Sequence, residues 1–312
     1  MGYFMMDQIA AAPISWGVCE VPNWGVQLPP ERVLSEMSGL GFTQTEAGAA
    51  GYLPDDPTEM AGVLRQHGLR LLGGFVPLVL HKSQARPRTI EQVHRTAAMF
   101  QAAGARYFVT AAVTSDDWAP RRELTETEWE HLYEMLELVE GLVAEYGLVQ
   151  ALHPHIQTVI EQAAEVQRVL DNTTVGWTFD TGHLLIGGYD PVTFARSYTD
   201  RIRHVHLKDV VLDLSDPVMA GDQSIMEGVQ AGMFCNLGAG DAPIAEAVQI
   251  MVDSGFDGWY VIEQDAAIEG DLPAADTGPV TDVAASINYL KGLPTGSPAI
   301  RVNENNNEGN SS

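Results

Sequence analysis

The sequence predicts an α/β protein built as a single (β/α)8 barrel. Eight short apolar segments alternate with eight amphipathic ones, glycines mark the helix ends, and no linker divides the chain. The strand segments are 9–15, 42–47, 69–76, 105–111, 148–153, 174–180, 203–208 and 258–263. The helical segments are 30–40, 57–67, 89–103, 125–146, 161–170, 190–199, 242–253 and 278–291. Each strand is short and apolar along its length, as parallel strands covered on both faces should be. An open doubly wound sheet is the rival architecture. No Gly-x-Gly-x-x-Gly run follows the first strand, which weakens a dinucleotide-binding version of it.

The elements carry their own punctuation. Gly41, Gly68, Gly104 and Gly147 each follow a helical segment and precede a strand. Pro57-Thr58-Glu59, Thr125-Glu126-Thr127-Glu128 and Asp190-Pro191 are helix starts. The longest insertion, 210–241, follows strand seven. On a barrel that segment lies on the catalytic rim and could act as a lid. The barrel is assigned to 1–292 and a polar, disordered tail to 293–312, where Asn303 to Ser312 offer nothing to bury.

Charge narrows the function. There are 17 basic and 42 acidic residues, a formal net charge of −25, which opposes tracking of a nucleic-acid backbone or an anionic membrane. A divalent cation or a neutral polyol suits this balance better. Only Cys19 and Cys235 are present, too few for a disulfide framework, and Cys235 reads as a small packed side chain. No secretory signal or membrane-length apolar run stands out, so a cytoplasmic setting is expected.

Three strand ends carry the chemistry. They are Trp177-Thr178-Phe179-Asp180-Thr181-Gly182-His183, Arg203-His204-Val205-His206-Leu207-Lys208-Asp209 and Trp259-Tyr260-Val261-Ile262-Glu263-Gln264-Asp265. Parallel strands point their C-terminal ends to one rim, so Asp180, His206 and Glu263 could meet there as ligands of a divalent metal. Asp180 taken alone reads as an N-cap or turn residue. His204, His206 and Lys208 share one strand face. Lys208 could polarise a substrate oxygen or simply pair with a carboxylate.

Strand five ends in His153-Pro154-His155, and Glu161 opens the next helix. Glu161 is the candidate fourth ligand, against an ordinary role as a first-turn helix acid. His153 and His155 could bind metal or serve as acid and base. Trp16 and Trp24 could stack on a ring, or pack the barrel mouth. Glu46 could hydrogen-bond a substrate hydroxyl.

Phe179-Asp180-Thr181-Gly182-His183, His204-Val205-His206-Leu207-Lys208-Asp209, His153-Pro154-His155 and Gly232-Met233-Phe234 with Gly238-Ala239-Gly240-Asp241 together resemble the xylose isomerase-like TIM barrels of sugar isomerases and epimerases. Within that group they are most similar to the inosose dehydratases. The resemblance implies a Mn or Co ion, with Mg or Zn as alternatives, held by Asp180, His206, Glu263 and a strand-five residue. Many members place a Glu inside strand five; here that position reads as His153, and the nearest acid is Glu161.

The implied reaction is metal-assisted removal of the proton next to the carbonyl of a cyclic keto-polyol or keto-sugar. His153 or His155 would act as base and Lys208 would stabilise the charge. Loss of a hydroxyl gives dehydration; reprotonation gives isomerisation or epimerisation. Related barrels also serve as catalytic subunits that cleave 3-oxo C-glycosides, and such a subunit would need a partner chain. A homo-oligomer is the expected assembly, and a hetero-oligomer with a small partner subunit is the alternative. A sugar-binding or non-catalytic subunit remains the non-enzyme reading. An abasic-site nuclease shares the barrel but would want a basic DNA surface.

Overall fold

Eight parallel strands close on themselves: β1 (Ile9–Ala11), β2 (Gln44–Glu46), β3 (Arg70–Leu78), β4 (Tyr107–Ala112), β5 (Val149–Leu152), β6 (Trp177–Asp180), β7 (Ile202–Leu207) and β8 (Tyr260–Ile262). The structure is a computed structural model, and it describes residues 2–3, 8–19, 21 and 24–295. Closure is made by β8, which pairs with β7 through Tyr260↔Val205 and with β1 through Tyr260↔Ile9. The single (β/α)8 barrel expected from the alternating pattern is therefore the fold.

The outer layer comprises α1 (Pro30–Gly39), α2 (Pro57–Gln66), α3 (Arg86–Ala103), α4 (Glu126–Ala144), α5 (Ala163–Asn172), a short extra helix α6 (Thr181–Ile186), α7 (Pro191–Tyr198), α8 (Leu212–Met219), α9 (Ile225–Gln230), α10 (Ile244–Asp253) and α11 (Pro279–Gly292). Their starts follow the sequence signals. Asp56 caps α2 by accepting from the Thr58 and Glu59 N–H groups. Thr125 and Glu128 form a reciprocal capping box on α4, and Asp190 caps α7. Gly104 closes α3 at φ +86°, a left-handed conformation that would strain a side chain with a Cβ.

Two hydrophobic layers result. The large one lies between strands and helices, where Trp177 and Phe179 of β6 pack against Phe194 of α7. The small one, with Ala10, Leu72, Tyr107, Val109 and Val261, fills the barrel interior. His204 sits against the Tyr107 ring at 4.5 Å between centroids. The interior thus changes from apolar to imidazole and carboxylate along the strands toward their C-terminal ends.

The first strand is shorter than the segment 9–15. Pro13–Trp16 form a 3-10 turn closed by Gly17 at φ +83°, because Pro13 lacks the N–H that a ladder needs and its fixed φ suits the first position of a helical turn.

The 210–241 segment folds as α8 and α9 over a two-residue antiparallel ladder, Phe234↔Val210 and Cys235↔Asp209. Asp209 anchors the segment's return. Its carboxylate accepts from the N–H groups of Gly238 (2.8 Å), Gly240 (3.1 Å) and Ala242 (3.0 Å). A Cβ on Gly240 would sit 2.5 Å from Asp209 Oδ1, so the position admits only glycine without a shift. Burial, with Asp209 beside it, pushes the Cys235 thiol up to about 12, consistent with a packed, unreactive side chain.

At the C-terminus, Leu293 is buried in the main core, and Pro294–Thr295 pair antiparallel with Gly2–Tyr3. The polar stretch from Asn303 lies outside the described residues.

Replacing Thr125 by Ala removes the capping box of α4 and is expected to cost about 1 kcal/mol. Urea unfolding should show a lower midpoint at an unchanged slope.

Candidate metal centre and cavity

Each strand end contributes one side chain to a common point. β5 continues into His153, whose N–H donates to Thr110 O at 2.8 Å, and β8 continues into Glu263, whose N–H donates to Leu207 O at 3.1 Å. These ladder bonds fix both backbones at the rim. His153, Asp180 and His206 are fully buried and Glu263 is buried, and the four offer ligand atoms within 4.8 Å of one another. Donors about 2.1 Å from one ion stand about 3.4 Å apart in a tetrahedron, so small side-chain rotations would close this set on a single ion.

Asp180 has two roles, one per oxygen. Oδ1 accepts from the His183 N–H at 2.7 Å and caps α6, the ordinary role read from sequence. Oδ2 lies 3.1 Å from His153 Nε2 and 3.7 Å from His206 Nδ1.

His206 is the key to the site. Its Nε2 is 3.0 Å from Glu46 Oε1, which also takes His204 Nε2 at 2.7 Å. A carboxylate on one ring nitrogen fixes the tautomer and turns the other nitrogen outward. That other nitrogen, Nδ1, is in direct contact with Glu263 Oε2. A lone pair aimed at two carboxylates needs a cation between them, a proton or a metal. Burial alone would lower the His206 pKa, but Glu263 and Glu46 outweigh it and hold it well above the imidazole range. Glu263 is drawn below the carboxylate range by His206 and Lys208 against the effect of burial. Burial pushes Asp180 up to about 6, with Lys208 opposing. Two imidazoles and two carboxylates form a donor set of charge −2, which fits a divalent ion.

Neighbouring side chains brace this set. Thr181 Oγ1 donates to Lys208 O (2.7 Å) and accepts from Lys208 N (3.0 Å), locking the end of β6 to that of β7. Lys208 is fully buried, pairs with Asp265, stands 3.8 Å from Glu263 Oε1 and lies over the Phe234 ring at 4.6 Å. Burial opposes its charge, but Asp265 and Glu263 raise its pKa, so Lys208 is an ammonium. Gly182 makes room for it, since a Cβ there would meet Lys208 Cγ at 2.7 Å.

A cavity adjoins the cluster and opens to solvent; its empty space, counting the open mouth, is about 700 Å³. Glu46, Glu263, Asp265 and His155 line it, and Trp24 and Ile225 wall it. Half-buried His155 donates from Nδ1 to Ile156 O at 2.6 Å, so its neutral form carries an open lone pair on Nε2. Burial lowers its pKa, with Asp265 opposing.

The structure corrects several sequence expectations. Glu161 is not with the ligand atoms. It pairs with Arg121 at 2.6 Å and accepts from the Gln157 N–H, because the chain leaving β5 turns back before α5 and aims its carboxylate at that guanidinium. His153 is the residue that stands with Asp180, His206 and Glu263, and it does not line the cavity. Trp16 is no substrate wall. It is fully buried in the main core, and its Nε1–H donates to Glu36 at 2.9 Å. Glu46 does line the cavity, yet one of its oxygens is already engaged by two histidines. Asp265 carried a signal not used: it lies two residues past Glu263, hence on the same face. Phe75 and Trp118, also in the lining, carried none.

Residues 34–292 match the xylose isomerase-like TIM barrel family. The chain belongs to that family. An inosose dehydratase of Geobacillus kaustophilus (strain HTA426) is 32% identical over 275 residues, covering 84% of this chain and 89% of that one. The rhizopine catabolism protein MocC of Rhizobium meliloti is 32% identical over 268 residues, covering 83% and 82%. Among solved structures, the probable 3-DHS dehydratase AsbF of Bacillus anthracis superposes with a TM-score of 0.69 at 15% identity, covering 92% and 100%. An IOLI protein with a bound zinc atom superposes at 0.67 and 13% identity, covering 91% and 98%. These two likenesses show the shared fold.

The relocation of the fourth donor can be checked by equilibrium dialysis against Mn. Glu161→Gln should keep wild-type metal content, whereas His153→Ala should lose at least about tenfold in affinity, as loss of a ligand or its support commonly does. Equal retention by both would remove His153 from the set.

Proposed function

We propose that this chain is a divalent-metal-dependent enzyme that removes the proton next to the carbonyl of a cyclic keto-polyol, with dehydration of an inosose-like substrate as its reaction. The observation that carries the reading is the buried cluster of His153, Asp180, His206 and Glu263, whose ligand atoms lie within 4.8 Å of one another. Relatives named inosose dehydratase, about a third identical across most of the chain, support the substrate class. Imidazole with carboxylate suits Mn, Co or Zn better than Mg, which prefers oxygen and water.

His153, Asp180, His206 and Glu263 would hold the ion. When bound, it supplies a Lewis acid that polarises the ketone and acidifies the neighbouring C–H. His155 takes that proton on Nε2, since its Nδ1–H is committed to the Ile156 carbonyl. The Lys208 ammonium, fixed beside Glu263 and Asp265, offsets negative charge that develops at this end of the cavity. Protonated His155 then delivers its proton to the departing β-hydroxyl, which leaves as water. Delivery of that proton from His155 to the former carbonyl carbon would give isomerisation instead.

The substrate is a small neutral molecule. The acidic balance opposes nucleic acid, and among the described residues no helix is long and apolar enough to cross a membrane.

Chelation should abolish turnover of 2-keto-myo-inositol, and Mn or Co should restore it. In D2O, deuterium should enter the product at the carbon that lost the hydroxyl, when the enol left by water loss ketonises. His155→Asn should lower kcat by about 10²–10⁴-fold with metal content unchanged. Full activity in metal-free protein, or a product that carries no solvent deuterium at the carbon that lost the hydroxyl, would reject the mechanism.

A further inference from the structure

We propose that Glu161, held by Arg121, is the positioning residue for His155, and that it acts through the peptide between Ile156 and Gln157. The proposal rests on the reading of His155 as the base and adds what fixes its ring. The Ile156 carbonyl oxygen accepts from His155 Nδ1–H at 2.6 Å. The other end of the same peptide, the Gln157 N–H, donates to Glu161 Oε2. A peptide group is planar, so whatever orients its N–H orients its carbonyl as well. Glu161 therefore sets where the carbonyl points, and the carbonyl sets which imidazole nitrogen carries the proton. Nε2 is left with the lone pair that removes the substrate proton. A carboxylate that keeps a catalytic imidazole in one tautomer and one orientation is a recurring device. Here one peptide stands between the two.

Arg121 holds the carboxylate in place. It lies on the connection from β4 to α4 and reaches across to the connection from β5 to α5. Nη1 pairs with Glu161 Oε1 at 2.6 Å, Nε donates to Thr158 O at 2.8 Å, and Nη2 pairs with Glu165. A guanidinium presents its donors in a rigid fork, so these three acceptors are fixed relative to one another. Both oxygens of Glu161 are thus committed, one to Arg121 and one to Gln157. Glu165 has a different task. Its Oε2 accepts from the N–H groups of Glu161 and Gln162, both at 2.9 Å, and so caps α5.

The backbone gives a second, independent observation. Gln157 has φ +63°, one of three non-glycine residues with positive φ among those described. A left-handed backbone is unfavourable for a residue with a Cβ and persists only where its surroundings hold it. The turn around it is tied at several points. His155 N donates to Ile160 O at 3.0 Å, and Thr158 Oγ1 donates to His155 O at 2.8 Å. The strained residue directly follows the carbonyl that holds the base, and His155 and Gln157 both line the cavity. A helix acid with no further task would need neither the left-handed turn nor an arginine from another connection.

The test has one readout that needs no substrate and one that does. The first is nitrogen NMR of the full-length, Zn-loaded protein labelled at histidine, with the His155 signals identified by their loss in His155→Asn. In the wild type His155 should carry its proton on Nδ1. Glu161→Leu should shift it toward Nε2 or give a mixture of the two tautomers. Glu161→Asp, which keeps the charge but draws the carboxylate back by one methylene, should move the signals the same way and serves if the leucine variant does not fold. Glu165→Gln also removes an Arg121 ion pair but touches nothing near the Ile156–Gln157 peptide, so it should leave them unchanged. The second readout is turnover of 2-keto-myo-inositol by the Mn-loaded protein. Glu161→Leu should lower kcat by about 10–100-fold, as a misplaced base does, with KM and metal content unchanged. In a His155→Asn background it should lower kcat no further, because a residue that acts through another adds nothing once that one is gone. A His155 tautomer that both Glu161 variants leave as in the wild type overturns the inference, and so does a loss that multiplies with that of His155→Asn. If the tautomer moves but keto-inositol is not turned over, the positioning stands and the proposed reaction falls.

Discussion

One buried constraint organises the upper half of this barrel: an imidazole held by a carboxylate on one nitrogen and pointed at two carboxylates with the other. Glu46 fixes His206 from β2, across the barrel from β7, and the opposite edge of the ring meets Asp180 and Glu263. Taking several ionisable groups out of water is costly unless their charges are matched. A cation at His206 Nδ1 provides that match. The same geometry therefore explains the perturbed protonation of the cluster and its suitability for a divalent ion.

Much of the surrounding structure keeps that constraint in place. Barrel closure is what brings β2, β5, β6, β7 and β8 within reach of one point. Thr181 ties the ends of β6 and β7, and Gly182 leaves the volume that Lys208 occupies. Asp209, one residue past Lys208, gathers three backbone N–H groups and folds the 210–241 segment back on itself. The segment's apolar side chains, among them Ile225 and Phe234, pack with Cys19, Trp24 and Ile156 into a second core beside the cavity. Charge and apolar shape are thus supplied by different parts of the chain: strand ends make the polar floor, and loops make the walls.

The sequence made the barrel legible because its signals are local. Helix starts at Asp56, Thr125 and Asp190 depend on residues two or three apart, and the closing glycines on a single φ. The strand-end residues were legible for a related reason: parallel strands share a direction, so Asp180, His206 and Glu263 had to reach one rim. What failed depended on where a connecting segment turns. Glu161 lies beyond an irregular stretch after β5, and Arg121, forty residues earlier, claims its carboxylate. Trp16 follows a proline-started turn that swings the indole into the strand–helix layer toward Glu36. Trp118 sits in a connection with no periodicity, and its left-handed backbone has no glycine to announce it. Pairing across the barrel, such as Glu46 with His204 and His206, joins residues about 160 positions apart, which no local pattern encodes.

The most direct measurement is anomalous diffraction at the Mn edge from crystals of the protein grown with Mn. The account predicts one ordered ion bonded to His153, Asp180, His206 and Glu263 at about 2.0–2.2 Å, with Glu46 still holding the far side of His206. An ion bound through Glu161, or no ordered ion at saturating Mn, would contradict it.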